Sequence, residues 1–287
     1  MNPQSKVLSC VDQSRFADYV ADYSAWAARR LNAPLEFLHV IDRHPEIGSP
    51  DDHSGAIGID AKEDLLARLS TMDEAKSKEA RERGRIFLNR LRDRALAAGA
   101  LTVDVRQRHG QLQETLVGME SDVRLFVLGR RGESAETTRR DLGRNVEPVV
   151  RALRKPVLAV TEGFRQVTRV MIAFDGGIVT RRGVELVASS PLFRGLPVHL
   201  LMSGNKNVDA PRQLEWAKEA LESAGFEAPA FLIPGDAETI IAQAVRDQEI
   251  DMLVMGAYNH SPLRRLFLGS KTSDLLRSAA IPMLLVR

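Results

Sequence analysis

The chain has 287 residues, of which 44% are hydrophobic and 27% charged, and its formal net charge is +2 at pH 7. These values are ordinary for a globular protein and leave room for two modest domains. The balanced charge gives no reason to expect nucleic acid as a partner, and no apolar run approaches the roughly 20 residues of a membrane span. The start of the chain lacks the pattern of a signal peptide, so we expect a cytoplasmic protein with Cys10 buried.

The first predicted element is the apolar run KVLSCV, which ends at Asp12. A helix-length segment and the run LEFLHVID follow, and then a charged loop leads into a long helix that begins near Asp60. The runs RLFVLGRRG and KPVLAVTE complete this half. Short runs that are apolar throughout, alternating with helices, predict parallel strands covered on both faces.

The second half of the chain repeats this order. Its apolar runs are RVMIAFDGG, LPVHLLMSG, DMLVMGAYN and IPMLLVR. Asp12 and Gly129 are 117 positions apart, against 81 for Asp175 and Gly256, which indicates an insert in the first half at about 42–83. We therefore predict an α/β protein with two tandem domains, 1–162 and 168–287. Each would be a doubly wound open parallel sheet with helices on both faces and a flavodoxin-like strand order.

Glycines at the ends of the predicted strands indicate a phosphate site. Gly256 ends one strand, and Gly269 and Ser270 begin the last predicted helix, where backbone N–H groups and the helix N-terminus favour an anion. Neither a P-loop nor a dinucleotide-binding glycine motif is present. The same glycines are also found in ordinary turns between a strand and a helix, so this alternative stays open.

The pattern of glycines resembles the universal stress protein family. In that family an aspartate follows the first strand, and G-x-x-G, nine residues and G-[ST] precede the last helix. The second half matches this pattern, with Asn259 in place of the second glycine. The resemblance covers essentially the whole chain as two copies, and in the family this pattern marks the members that bind ATP or AMP.

The resemblance also implies roles for individual residues of the second half. Asp175 would contact adenine, Gly256 would face the ribose and phosphates, and Gly235 would border the cleft. The remaining residues of the implied nucleotide site surround the phosphate loop and are Asn259, Gly269, Ser270, Lys271 and Thr272.

The first half matches the family pattern less well. Ten residues separate Gly132 from Gly143, and Arg144 stands where serine or threonine is usual. A guanidinium there would either clamp a phosphate or fill the pocket. We predict a degenerate site, formed by Asp12, Gly129, Gly132, Gly143, Arg144 and Asn145.

The sequence presents no catalytic set and no metal-ligand spacing. The first hypothesis is a stress-response regulator that binds ATP or AMP, with or without Mg, in its second half and hydrolyses it slowly or not at all. The alternative is an interaction module without a nucleotide, acting through a pseudo-dimer of its two halves. A protein partner or a homodimer is compatible with both, and neither involves nucleic acid or a membrane.

Overall fold

A computed structural model describes residues 5–41, 59–132, 143, 145–203, 208–257 and 281–287; over 59–77 it describes the backbone only. The strands of this part of the chain are β1 (Lys6–Cys10), β2 (Leu35–Ile41), β3 (Val103–His109), β4 (Val123–Gly129), β5 (Val157–Val160), β6 (Val170–Phe174), β7 (Val198–Ser203), β8 (Ala230–Ile233), β9 (Met252–Gly256) and β10 (Met283–Val286). The helices are α1 (Ala17–Leu31), α2 (Ile59–Ala97), α3 (Leu112–Met119), α4 (Val146–Ala152), α5 (Ile178–Ser189), α6 (Ala210–Ser223) and α7 (Ala237–Asp247).

All ten of these strands belong to one sheet. Their order is β3-β2-β1-β4-β5-β10-β9-β6-β7-β8, so each half contributes five neighbouring strands. Within each half the neighbouring strands are parallel, whereas β5 and β10 pair antiparallel where the halves meet. The segment 161–169 connects β5 to β6.

The helices cover both faces of the sheet, which confirms the predicted doubly wound α/β fold. One apolar layer packs α1, α2, α5 and α6 against the sheet, and the other packs α3, α4 and α7. Right-handed crossovers explain this division, because two successive crossovers in the same direction place both helices on the same face.

The predicted flavodoxin-like order is wrong in detail. The observed order in each half is 3-2-1-4-5, because the second crossover continues outward in the same direction as the first. The chain then returns to the other side of the first strand, and the helices of that return lie on the opposite face. The direction in which the chain crosses the sheet therefore reverses between the first and fourth strands of each half. We call this place the reversal point of that half.

The centre of the sheet is apolar and fully covered. Phe37 and Phe126 lie on opposite faces and are both 0% exposed, and most side chains of β1, β4, β5 and β10 are buried. Burial also raises the pKa of the Cys10 thiol well above its ordinary value. These contacts explain why the strands read as continuous apolar runs rather than alternating ones.

The two halves also touch outside the β5–β10 pair. The Arg30 side chain at the end of α1 donates to the carbonyl oxygen of Leu192, with Nε and O 2.5 Å apart. Tyr23 donates to the carbonyl oxygen of Gly163, in the segment that connects the halves, over 3.3 Å. The first half is thus held to the second by helix contacts as well as by the sheet. No helix within the described ranges has both the length and the apolar character to cross a bilayer.

Candidate functional site

Asp175 and Gly256 lie side by side at the reversal point of the second half. Asp175 directly follows β6, and Gly256 ends β9, which is paired with β6 through Ala173 and Met255. From β6 the chain crosses to β7 on one side, and it returns to β9 on the other. In open α/β sheets this edge is where ligands bind, because the diverging loops leave a crevice there.

The Asp175 carboxylate is oriented by its own loop. Its Oδ1 atom accepts a hydrogen bond from the Gly177 backbone N–H (2.8 Å) and another from the Thr180 hydroxyl (2.6 Å). Gly176 has φ +77°, a left-handed conformation that favours glycine, and a side chain there would collide with Gln213. This loop therefore holds one carboxylate oxygen in a fixed position at the crevice.

Gly256 and Gly235 both lie close to a neighbouring helix. A Cβ on Gly256 would lie 3.1 Å from Val179 Cγ1 and 3.2 Å from Thr180 Cγ2, so the first turn of α5 rests on the strand end. Gly235, after β8, has φ +142°, and a Cβ there would lie 2.9 Å from Ile240 Cδ1. Both glycines let helices approach the strand ends closely.

The other residues that the sequence places in the second-half site are Asn259, Gly269, Ser270, Lys271 and Thr272. They lie outside the described residues, so their role stays a prediction.

Asp12 and Gly129 occupy the equivalent reversal point of the first half. Asp12 follows β1 and Gly129 ends the adjacent β4. Asp12 Oδ1 accepts from the backbone N–H of Ser14 (3.2 Å) and from its hydroxyl (2.5 Å). Gly132, just after β4, lies against this aspartate: a Cβ on it would collide with Asp12 Oδ2.

Gly143 is hydrogen-bonded to the backbone just after β4, at Arg130. Its N–H donates to the carbonyl oxygen of Arg130 over 2.7 Å, and a Cβ on it would lie 3.2 Å from the same oxygen. Asn145 precedes α4 without a capping hydrogen bond from its side chain. The structure therefore brings Asp12, Gly132 and Gly143 to one edge, while Arg144 lies outside the described residues.

Comparison with known proteins identifies the fold. The model of the Universal stress protein family matches residues 4–161 and 201–287. The chain belongs to this family. It is 34% identical to the Universal stress protein Slr1230 of Synechocystis sp. over 284 residues, which cover 98% of this chain and 99% of that protein. A crystal structure of a universal stress protein from Archaeoglobus fulgidus DSM 4304 has a TM-score of 0.72 at 18% identity, with 99% of both chains covered.

Two arginines distinguish the first-half edge of this universal stress protein. Burial, and secondarily the charge of Arg131, lowers the pKa of Arg130 to about 10. The Arg131 guanidinium forms an ion pair with Glu162 and lies 4.9 Å from the centre of the Phe16 ring. The second half has Ala257 directly after its strand-end glycine instead.

Two residues that orient the Asp175 carboxylate were not expected from the sequence. Thr180 fixes the carboxylate of Asp175, and Gly177 donates to the same oxygen. The doublet Gly176–Gly177 after the aspartate was the available signal, because two successive glycines indicate a turn with unusual backbone angles. Within the described ranges no three metal-ligating side chains come together.

Proposed function

We propose that this protein is a stress-response regulator that binds an adenine nucleotide, ATP or AMP, in its second half, with slow or no hydrolysis. The observation that carries the proposal is the Asp175 carboxylate, held at the reversal point by Gly177 and Thr180 and adjacent to Gly256. Membership of the universal stress protein family supports the same assignment.

The chemistry of the crevice suits a nucleoside. A carboxylate oxygen accepts hydrogen bonds from the amino group of adenine or from a ribose hydroxyl. Gly256 ends β9 beside this carboxylate, so a sugar held by Asp175 would lie next to the end of that strand. The phosphates would follow toward Gly269 and Ser270, where the sequence pattern places a helix N-terminus.

The first half differs in ways that favour the second half as the binding half. The backbone of Gly132 lies against the Asp12 carboxylate, where a ligand would otherwise approach. Arg144 replaces the hydroxyl residue that the family pattern has at the phosphate loop. We therefore propose that the first half supports the second and binds no adenine nucleotide of its own.

Thermal unfolding in the presence of millimolar ATP or AMP, with and without Mg, tests this function. A ligand at about 100 times its dissociation constant adds about 2.7 kcal/mol, which corresponds to a rise in the midpoint of roughly 5–10 °C. Asp175→Asn should abolish most of this rise. The matched variant Asp12→Asn should retain it, because the first half is proposed to bind no nucleotide.

The alternative function is an interaction module built as a pseudo-dimer, and the antiparallel pairing of β5 with β10 favours it. An unchanged midpoint with every nucleotide, together with nucleotide-free purified protein, would leave this alternative. A rise lost in Asp12→Asn but kept in Asp175→Asn would instead move the site to the first half.

A further inference from the structure

A pocket lies where the two halves meet, at the starts of the strands β1, β4 and β5, whereas Asp12 lies beyond the other end of β1. Its volume is about 120 Å³, and most of its wall is apolar. Leu31 at the end of α1 and Leu125 of β4 line it from the first half. Leu186 of α5, Phe193 and Leu284 line it from the second half. The pocket thus depends on the way the two halves meet.

A β-bulge places the positively charged residue Arg124 in this mostly apolar lining. In the pairing of β1 with β4, Lys6 is opposite Val123 and Val7 is opposite Leu125, so Arg124 is the extra residue. Bulges redirect a side chain away from the regular alternation of a strand, and they are frequent beside binding sites. Arg124 lines the pocket as a result.

Lys155 adds a second cation to the pocket lining. Throughout the described ranges, neither Arg124 nor Lys155 makes an ion pair. The Glu120 carboxylate nearby accepts from the backbone N–H of Lys155 (2.8 Å) and of Arg154 (2.5 Å). Asp122 accepts from the Ser121 hydroxyl over 3.1 Å. The two nearby carboxylates are therefore bonded to neutral donors.

We propose that this pocket binds a small amphipathic carboxylate. Its aliphatic chain would contact Leu31, Leu186 and Phe193, and its carboxylate would pair with Arg124, with Lys155 as the second cation. A cavity of about 150 Å³ accepts benzene, so a pocket of this size accepts a chain of about four to five carbons. A bidentate guanidinium–carboxylate pair supplies the orientation.

Such a ligand contacts both halves at once. It would stabilise the junction in addition to the β5–β10 pair, and a change in its concentration would change how firmly the halves are joined. This site is independent of Asp175, so the inference holds whether or not the second half binds a nucleotide.

Three small molecules separate the contribution of the ligand's aliphatic chain from that of its carboxylate. They are pentanoate, 1-pentanol and acetate. Binding to the full chain is followed by the methyl NMR signals of its leucines, with Leu31, Leu186 and Leu284 assigned. Each buried methylene strengthens binding about fourfold, so pentanoate, with three more methylenes, should bind about sixtyfold more tightly than acetate. The charge-assisted pair should make it bind about tenfold more tightly than 1-pentanol.

Arg124→Gln should remove the preference for pentanoate over 1-pentanol, and the control Arg154→Gln, outside the pocket, should keep it. Leu186→Trp should fill the pocket and weaken both five-carbon probes. The proposal is overturned by unshifted leucine signals with pentanoate, by equal binding of pentanoate and 1-pentanol, or by an unchanged preference in Arg124→Gln. If Arg124→Gln does not fold, the comparison of the three probes on the unmodified chain decides alone.

Discussion

Replacing Glu36 with glutamine should destabilise the first half measurably. Glu36 lies on β2, and its side chain is only 5% exposed. Its Oε2 atom is 2.6 Å from Nζ of Lys6 on β1, and its Oε1 atom is 2.6 Å from Nε of Arg106 on β3. One buried carboxylate therefore neutralises a cation on each neighbouring strand.

The size of the expected loss in the free energy of unfolding depends on how far the two cations are exposed to water. Removing one member of a buried ion pair costs about 3–5 kcal/mol, because the remaining charge stays in a poorly solvated place. Here the Lys6 side chain is 19% exposed and that of Arg106 is 44% exposed, so water partly solvates both after the change. We therefore expect Glu36→Gln to lower the free energy of unfolding by about 2–3 kcal/mol.

Urea unfolding followed by tryptophan fluorescence measures this loss. The control is Glu82→Gln on α2, because Glu82 pairs with Arg85 at 2.7 Å on an exposed helix face and should give no measurable change. Adding Lys6→Met to Glu36→Gln should restore part of the lost stability, since no unpaired lysine remains. If Glu36→Gln costs no more than the control, the buried carboxylate does not stabilise these strands and the reasoning is wrong.

Three shorter predictions concern other parts of the chain. Thr180→Val removes the hydroxyl that holds Asp175 and should weaken nucleotide binding about tenfold in a calorimetric titration of the folded variant; unchanged affinity would contradict its role. Variants that keep only Trp26 or only Trp216 report on one half each, and they should share one urea midpoint because a single sheet joins the halves. Two separate midpoints would show independent halves. Cys10 should resist a thiol reagent at about pH 8 in the folded protein and react once unfolded, because the thiolate forms only above its raised pKa; rapid labelling of the native chain would argue against its burial.

The sequence was sufficient to predict where the strands at each reversal point end. Asp12 and Asp175 follow β1 and β6, and Gly129 and Gly256 end β4 and β9. These positions could be read because buried parallel strands are apolar throughout and stop abruptly at the first polar residue. The long helix of the insert was expected near Asp60, and α2 begins at Ile59.

The strand order could not be predicted in the same way. An apolar run shows that a strand exists, but it does not show to which side the following crossover turns. That choice depends on which sheet face α2 covers, and Leu88, Leu91 and Ala95 place it on the same face as α1. The expected flavodoxin-like order therefore failed although the fold class was right.

The finer features of both sites depend on contacts that leave little trace in the sequence. Thr180 reaches Asp175 from five residues away, through the geometry of a turn that also needs Gly176. Arg124 lies inside an otherwise regular strand, and only the register against β1 shows that it is an extra residue. Neither feature has a periodicity that a sequence pattern could report.

The position of β10 also has a consequence for how the chain is made. This strand follows the other nine in chain order, yet it lies at the centre of the sheet between β5 and β9. During synthesis the first half can complete its own five strands early, but the edge of β5 has no neighbour until β10 emerges. An unpaired edge of this kind is open to pairing with other chains. The growing polypeptide therefore depends on β10 for protection of the β5 edge against aggregation.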